Sequence, residues 1–142
     1  MKIKEITEYH PEIKNTVDSL LSLLLGTPAP ISELQLKAII TSNNSHLFFA
    51  LDDHETYMGM MTVGIYDAPT GKKGWIEDVV VNEAFRRQGV GRKLIEFAIQ
   101  FAKQQHVDLL TLTSRPQKVA ANNLYKNIGF EKKETNVYKM VF

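Results

Sequence analysis

The stretch from Trp75 to Ile95 constrains this chain more than any other: an apolar run, Trp75-Ile-Glu-Asp-Val-Val-Val81, enters a short turn. The turn continues into the basic, glycine-bearing segment Arg86-Arg87-Gln88-Gly89-Val90-Gly91-Arg92-Lys93, and an amphipathic pattern follows from Val90 to Gln105. A strand, a glycine loop and a helix in that order place consecutive backbone amides at a helix N-terminus, where unpaired N–H groups and the helix dipole favour an anion. Gly89 and Gly91 permit backbone conformations and close approaches that other residues resist. Arg86, Arg87, Arg92 and Lys93 add positive charge at the same place, so a diphosphate is the natural guest. The same residues would also serve a plain turn with a solvated basic face. Two better-known phosphate motifs are excluded, because no Gly-Lys-Ser/Thr is present and Gly89-Val90-Gly91 lacks the third glycine of a dinucleotide fingerprint.

Around this segment the chain punctuates itself. Alternation over residues 2–8 predicts a strand. Ile13, Val17, Leu20, Leu21 and Leu24 fall at helical spacing between Pro11 and Leu25, and Gly26, Pro28 and Pro30 end that helix. Ser32 with Gln35 forms a capping-box signature for a second helix through Leu34, Ala38 and Ile39. Residues 46–51 and 56–66 read as strands joined by a polar turn, and residues 67–74 as a second break, flanked by Tyr66 and Trp75. Residues 107–113 read as a strand and 117–128 as a helix stopped by Gly129. Residues 130–142 read as a closing hairpin with its turn near Thr135-Asn136. The order β-α-α-β-β-β-α-β-α-β-β predicts an α+β fold with a mixed sheet.

At 142 residues, the length predicts one domain, residues 1–142, with no repeat and no linker. The net charge of +1 supplies no global field for nucleic acid or an acidic membrane, and basic-aromatic interleaving is absent. No stretch approaches a membrane span or a signal peptide, so a cytoplasmic protein is expected. With no cysteine there is no disulfide, thiolate ligand or cysteine nucleophile. The four histidines are scattered without metal-ligand spacing, so no metal is expected.

Arg86 to Gly91 resembles the Arg/Gln-x-x-Gly-x-Gly/Ala motif of the GNAT superfamily of acetyl-CoA-dependent N-acetyltransferases. Downstream, Ala121-Asn122-Asn123-Leu124-Tyr125-Lys126-Asn127-Ile128-Gly129-Phe130 is similar to that superfamily's Ala-x-x-Leu-Tyr-x-x-x-Gly-Phe signature, with one helix and one strand between the two. The resemblance covers residues 75–130 and implies a GNAT-like, mostly antiparallel sheet flanked by helices. It implies acetyl transfer from acetyl-CoA directly to a primary amine, with a small-molecule acceptor favoured over a protein N-terminus or lysine. A CoA-binding regulatory module of the same fold is the alternative from outside enzymology.

By the same resemblance, the CoA pyrophosphate lies on amides of Arg86, Arg87, Gln88, Gly89, Val90, Gly91 and Arg92, and the pantetheine arm pairs with the backbone of Val79 and Val81. Tyr125 protonates the departing thiolate or hydrogen-bonds to it. Glu77 is the candidate base, directly or through water, with Asp78 as the other nearby carboxylate. Many members carry an asparagine seven residues before the tyrosine. Lys118 stands there in this chain, and Ser114, Asn122 or Asn123 is left to replace it, Asn122 being counted among the cofactor-binding residues. The acceptor, the length of the acyl group and the oligomeric state stay open, and Val137 to Phe142 offers an edge strand through which a homodimer would form.

Overall fold

The computed structural model describes all 142 residues. Its first nine elements follow the expected order: β1 (Lys2–Glu5), α1 (Pro11–Leu25), α2 (Glu33–Thr41), β2 (Ser45–Leu51), β3 (Tyr57–Ala68), β4 (Gly71–Val81), α3 (Val90–Gln104), β5 (Leu109–Leu112) and α4 (Val119–Ile128). A single 3-10 turn (Glu83–Phe85) links β4 to the loop before α3. The five strands form one sheet in sequential order, antiparallel except for the parallel pair β4–β5. This is the mixed α+β architecture the element order predicts. No helix is long and apolar enough to cross a membrane.

The helix ends are local chemistry. Pro11 occupies the first turn of α1, where its missing N–H costs nothing, and Gly26 closes the helix with φ 72°. The capping box of α2 forms as expected, with the Ser32 hydroxyl accepting from Gln35 N–H at 3.1 Å. Asp18 anchors the connection between the two helices by accepting from Ile31 N–H at 2.9 Å. Burial lowers nothing here by itself: desolvation opposes, and the hydrogen bonds from Lys14 and Ile31 hold the Asp18 carboxyl below its ordinary range.

Alternation along the central strands divides the core into two layers. Phe48 and Met61, paired across β2 and β3, face α3 and its Leu94, Ile95 and Ala98. Their neighbours Phe49 and Met60, also paired, face α1 and α2 through Ile13, Val17, Leu20 and Leu36. A Cβ on Gly59 would come within 2.6 Å of Val80 O, so β3 and β4 approach too closely there for any side chain.

Three expectations change. First, β1 ends at Glu5, three residues before the alternating pattern does. Second, residues 67–74 are not a break: β3 runs to Ala68 and β4 starts at Gly71, so only Pro69-Thr70 turns the chain. Lys72-Lys73 joins the ladder, and Asp108 Oδ2 accepts from Lys72 N–H at 2.7 Å. Polar composition reads as a loop, but backbone pairing makes the segment strand: β3 lies along it throughout, and from Lys73 onward β5 lies on its other side. Third, the closing hairpin does not form, and residues 131–142 carry no secondary structure. Its first half, Glu131-Lys132-Lys133-Glu134, has no apolar side chain to bury against the sheet.

Candidate active site

The geometry of the site begins with a β-bulge. Thr62 pairs with Glu77 and Met60 with Val80, so two residues of β4, Asp78 and Val79, lie opposite the single Met61. Asp78 takes the strain with φ 51°, a left-handed conformation that Asp tolerates better than most residues. The bulge bends β4 away from its parallel neighbour. Pairing with β5 runs from Lys73–Leu109 to Ile76–Leu112 and then stops, while β4 continues to Val81.

The open edge has a defined polarity. Asn82 N–H donates to Met58 O at 2.8 Å, so Asn82 and, by alternation, Val80 turn their backbone toward β3. Val79 and Val81 therefore present N–H and C=O to the unpaired side. These are the two residues to which the family resemblance assigns the pantetheine arm.

Beyond Val81 the track reaches the glycine loop. Arg87 and Gly89 both adopt positive φ, 62° and 79°, on either side of Gln88, and such turns gather successive amides into an anion-binding concavity. The first intrahelical bond of α3 runs from Lys93 N–H to Gly89 O, leaving the amides of Val90, Gly91 and Arg92 without helical acceptors. Gln88 is held by its own amide, Nε2 donating to Ala84 O at 3.2 Å. Arg86 and Arg92 lean on Glu83 and Glu96 at 3.7 and 3.3 Å, whereas Arg87 and Lys93 make no ion pair. A methyl group at Gly91 would lie 3.8 Å from Val81 Cγ2 and 3.9 Å from Leu124 Cδ2. The loop, the end of β4 and α4 thus converge on one place.

Tyr125 enters from α4. It is half-buried against the α3-facing core, with the Phe130 ring edge-on at 6.2 Å, and burial raises its phenol above the ordinary value. The hydroxyl therefore stays protonated throughout the neutral range, as a proton donor requires. Glu77 stands on the opposite face of the sheet from its core neighbour Ile76. Burial, and then the like charge of Asp78, raise its carboxyl. Neither acidic side chain is held in an ion pair, and no hydrogen bond joins Glu77 to Tyr125. The two candidates flank the gap between β4 and β5 from different layers.

Asn122, counted among the cofactor-binding residues in place of the missing asparagine, has part of its side chain engaged within the chain. Asn122 spends its side-chain Nδ2 on Arg115 O and Lys118 O, at 2.9 and 2.8 Å, tying down the chain that leads into α4. Only its Oδ1 remains free for a ligand. A feature the sequence reading missed is a polar groove beside α1. An open cavity of about 460 Å³ is lined by Glu12, Asn15, Ser19, Tyr57 and Asn82, and a second of about 560 Å³ continues past Ser22 to Arg86. The signal was present as a polar stripe on α1, Glu12, Asn15, Ser19 and Ser22, on the side away from its apolar face.

Comparison with known proteins agrees with this geometry. Residues 16–130 match the model of the acetyltransferase (GNAT) family. N-alpha-acetyltransferase 30 of Dictyostelium discoideum is 30% identical over 135 residues, covering 92% of this chain and 70% of that protein. The yeast protein of the same name, from Saccharomyces cerevisiae, is 34% identical over 58 residues, 41% of this chain. The chain spans only 33% of that yeast protein and 41% of human N-acetyltransferase 8, which is 27% identical over 93 residues. Among solved structures, one described as a transcriptional regulator from Bacillus halodurans C-125 superposes with a TM-score of 0.85 at 25% identity, over 99% of both chains. An aminoglycoside acetyltransferase from an uncultured soil metagenomic sample shares the fold at TM-score 0.85 and 19% identity, over 99% of this chain and 96% of that one. With the bulged fourth strand, the glycine loop and the α4 tyrosine meeting at one end of the sheet, and with the family match spanning all three, this chain belongs to the acetyltransferase (GNAT) family.

Proposed function

We propose that the chain transfers an acetyl group from acetyl-CoA directly to a primary amine, with a small-molecule acceptor. One observation carries the reading: the unpaired backbone of Val79 and Val81 leads straight into the amides of Val90, Gly91 and Arg92. An extended ligand with amides along its length and a pyrophosphate at one end matches that track group by group.

The chemistry then needs a base, an oxyanion donor and an acid. Glu77 takes a proton from the ammonium, directly or through water, and its raised affinity for protons suits it to work nearer neutrality. The amine nitrogen attacks the thioester carbon, and a backbone N–H on the open edge of β4 supports the developing oxyanion. As the C–N bond forms and the C–S bond breaks, Tyr125 supplies a proton to the departing sulfur. Burial raises the phenol above its ordinary value, so it keeps its proton until the thiolate departs.

Titration calorimetry with acetyl-CoA tests the binding half, with adenosine 3′,5′-bisphosphate as the control. Micromolar binding that the nucleotide alone does not match supports the reading, and silence at millimolar concentration sinks it. Tyr125→Phe tests the chemical half: turnover falls about 10²- to 10⁴-fold while acetyl-CoA affinity holds. An unchanged rate at every pH removes the tyrosine from the mechanism.

A second reading, acetylation of a protein N-terminus, is favoured by the 30% identity to an N-alpha-acetyltransferase across 92% of this chain. Thiol release measured with polyamines and aminosugars in one panel and short N-terminal peptides in another separates the two.

A further inference from the structure

Two aromatic side chains near the site take no part in holding the fold. Trp75, the one tryptophan of the chain, belongs to neither core layer, and no aromatic ring pairs with it. Tyr66 is 50% exposed and also lies outside both layers. Both share a face of the sheet with Glu77. Val63, Ile65 and Ile76 point into the α3-facing core, so Thr62, Gly64 and Tyr66 of β3 turn the other way, as do Lys73, Trp75 and Glu77 of β4.

The helices α1 and α2 cover that face only in part. Their layer takes Leu47, Phe49, Leu51, Met60 and Val80 from the strands, and nothing from the rows Thr62–Glu77, Gly64–Trp75 and Tyr66–Lys73. In the middle row a side chain is absent where one would fit, because a Cβ on Gly64 would meet no atom within 4 Å. Nor does its backbone call for glycine, since Gly64 is not among the glycines of positive φ. A bare strip of sheet therefore lies beside the Trp75 indole. It is one row from Glu77, about 7 Å along the strands, and Lys73 stands one row further out.

We propose that this strip holds the acceptor, a primary amine carrying a planar aryl ring. The ring lies over Gly64 against Trp75, the nitrogen reaches Glu77 through a two- or three-carbon spacer, and Tyr66 bounds the far end. Offset or edge-on stacking on an indole that the fold leaves unpartnered rewards a flat aromatic ring. Lys73 puts a positive charge where the second ammonium of a diamine would lie. A polyol would give up water for a floor with little to hydrogen-bond its hydroxyls. The inference rests on the proposed reaction only for the place of the nitrogen.

Turnover of 2-phenylethylamine is compared with that of hexylamine, glucosamine and spermidine, and binding of each is followed by the emission of Trp75, which no other tryptophan obscures. The aryl amine is expected to have the highest kcat/KM and to change the emission saturably. Trp75→Leu is expected to cut the preference for 2-phenylethylamine over hexylamine about three- to tenfold, through KM, with acetyl-CoA affinity unchanged. Gly64→Val fills the strip from the other side and lowers the same preference, and the open space around its Cβ spares the fold. The proposal is overturned if hexylamine, glucosamine or spermidine is the better substrate, or if both variants keep the wild-type preference. Saturable change in Trp75 emission without acetyl transfer to any amine would uphold the aryl site and sink the proposed reaction. Acetyl transfer with no response of Trp75 to the aryl amine would do the reverse.

Discussion

Glu77 and Asp78 are adjacent in sequence yet play different parts, because the bulge falls between them. Asp78 absorbs the left-handed turn, and Glu77 keeps its regular pairing with Thr62. Asp78 also acts on Glu77 through its charge, the second cause, after burial, of the raised carboxyl. Removing that charge lowers the proton affinity of Glu77. Asp78→Asn, which suits the same φ, should therefore move the acid limb of the kcat/KM profile to lower pH; an unmoved limb would assign the limb to another group. Folding raises the affinity of Glu77 for its proton, so its ionised form works against the fold once pH exceeds the ordinary carboxylate range. Glu77→Gln should cut turnover while the melting temperature at pH 7 stays level or rises. A fall in both would point to a structural role instead.

Gly89 belongs to the same scale. Open space surrounds the position where a Cβ would sit, so only its φ of 79° resists substitution. Gly89→Ala should cost about 1 kcal/mol of stability by chemical denaturation and weaken acetyl-CoA binding by misplacing the amides of Val90 and Gly91. Wild-type affinity in that variant would place the pyrophosphate elsewhere.

At the scale of elements, most of the fold was legible. The first nine elements follow their sequence signals because each signal is local: Pro11 and Gly26 bound α1, and Ser32 with Gln35 opens α2. Ser32→Ala removes the acceptor for Gln35 N–H and should lower stability by about 1 kcal/mol, read as a drop in thermal midpoint. What misled was composition used in place of pairing. The Lys- and Gly-bearing residues 71–74 are strand because β3 lies beside them and Asp108 holds their start. The expected last hairpin fails for the opposite reason, since four consecutive charged residues give a strand no buried face.

At the scale of the molecule, the site is a gap in the sheet closed by contributions from four elements, and a ligand filling that gap should act as a staple. Acetyl-CoA at 100 times its dissociation constant should add about 2.7 kcal/mol of stability, seen as a rise in melting temperature. Adenosine 3′,5′-bisphosphate, which has no arm to lie on β4, should add less at the same concentration. Equal shifts would mean that the edge of β4 takes no part in binding. The two candidates lie on the two faces of the gap: Tyr125 packs against the layer of α3, and Glu77 points to the opposite face of β4 from Ile76.

The amino-acid sequence by itself determined the glycine loop at the start of α3, the capped helices and the two signatures that identify the family, because each depends on residues a few positions apart. Only the tertiary structure decided where β4 parts from β5, which backbone groups the parting exposes and which core layer each catalytic candidate enters. Those depend on register between distant strands, and a single extra residue at Asp78-Val79 reverses them. The employment of the Asn122 amide by its own helix start, and the freedom of residues 131–142, were settled in the same way, by which partners the folded chain brings within reach.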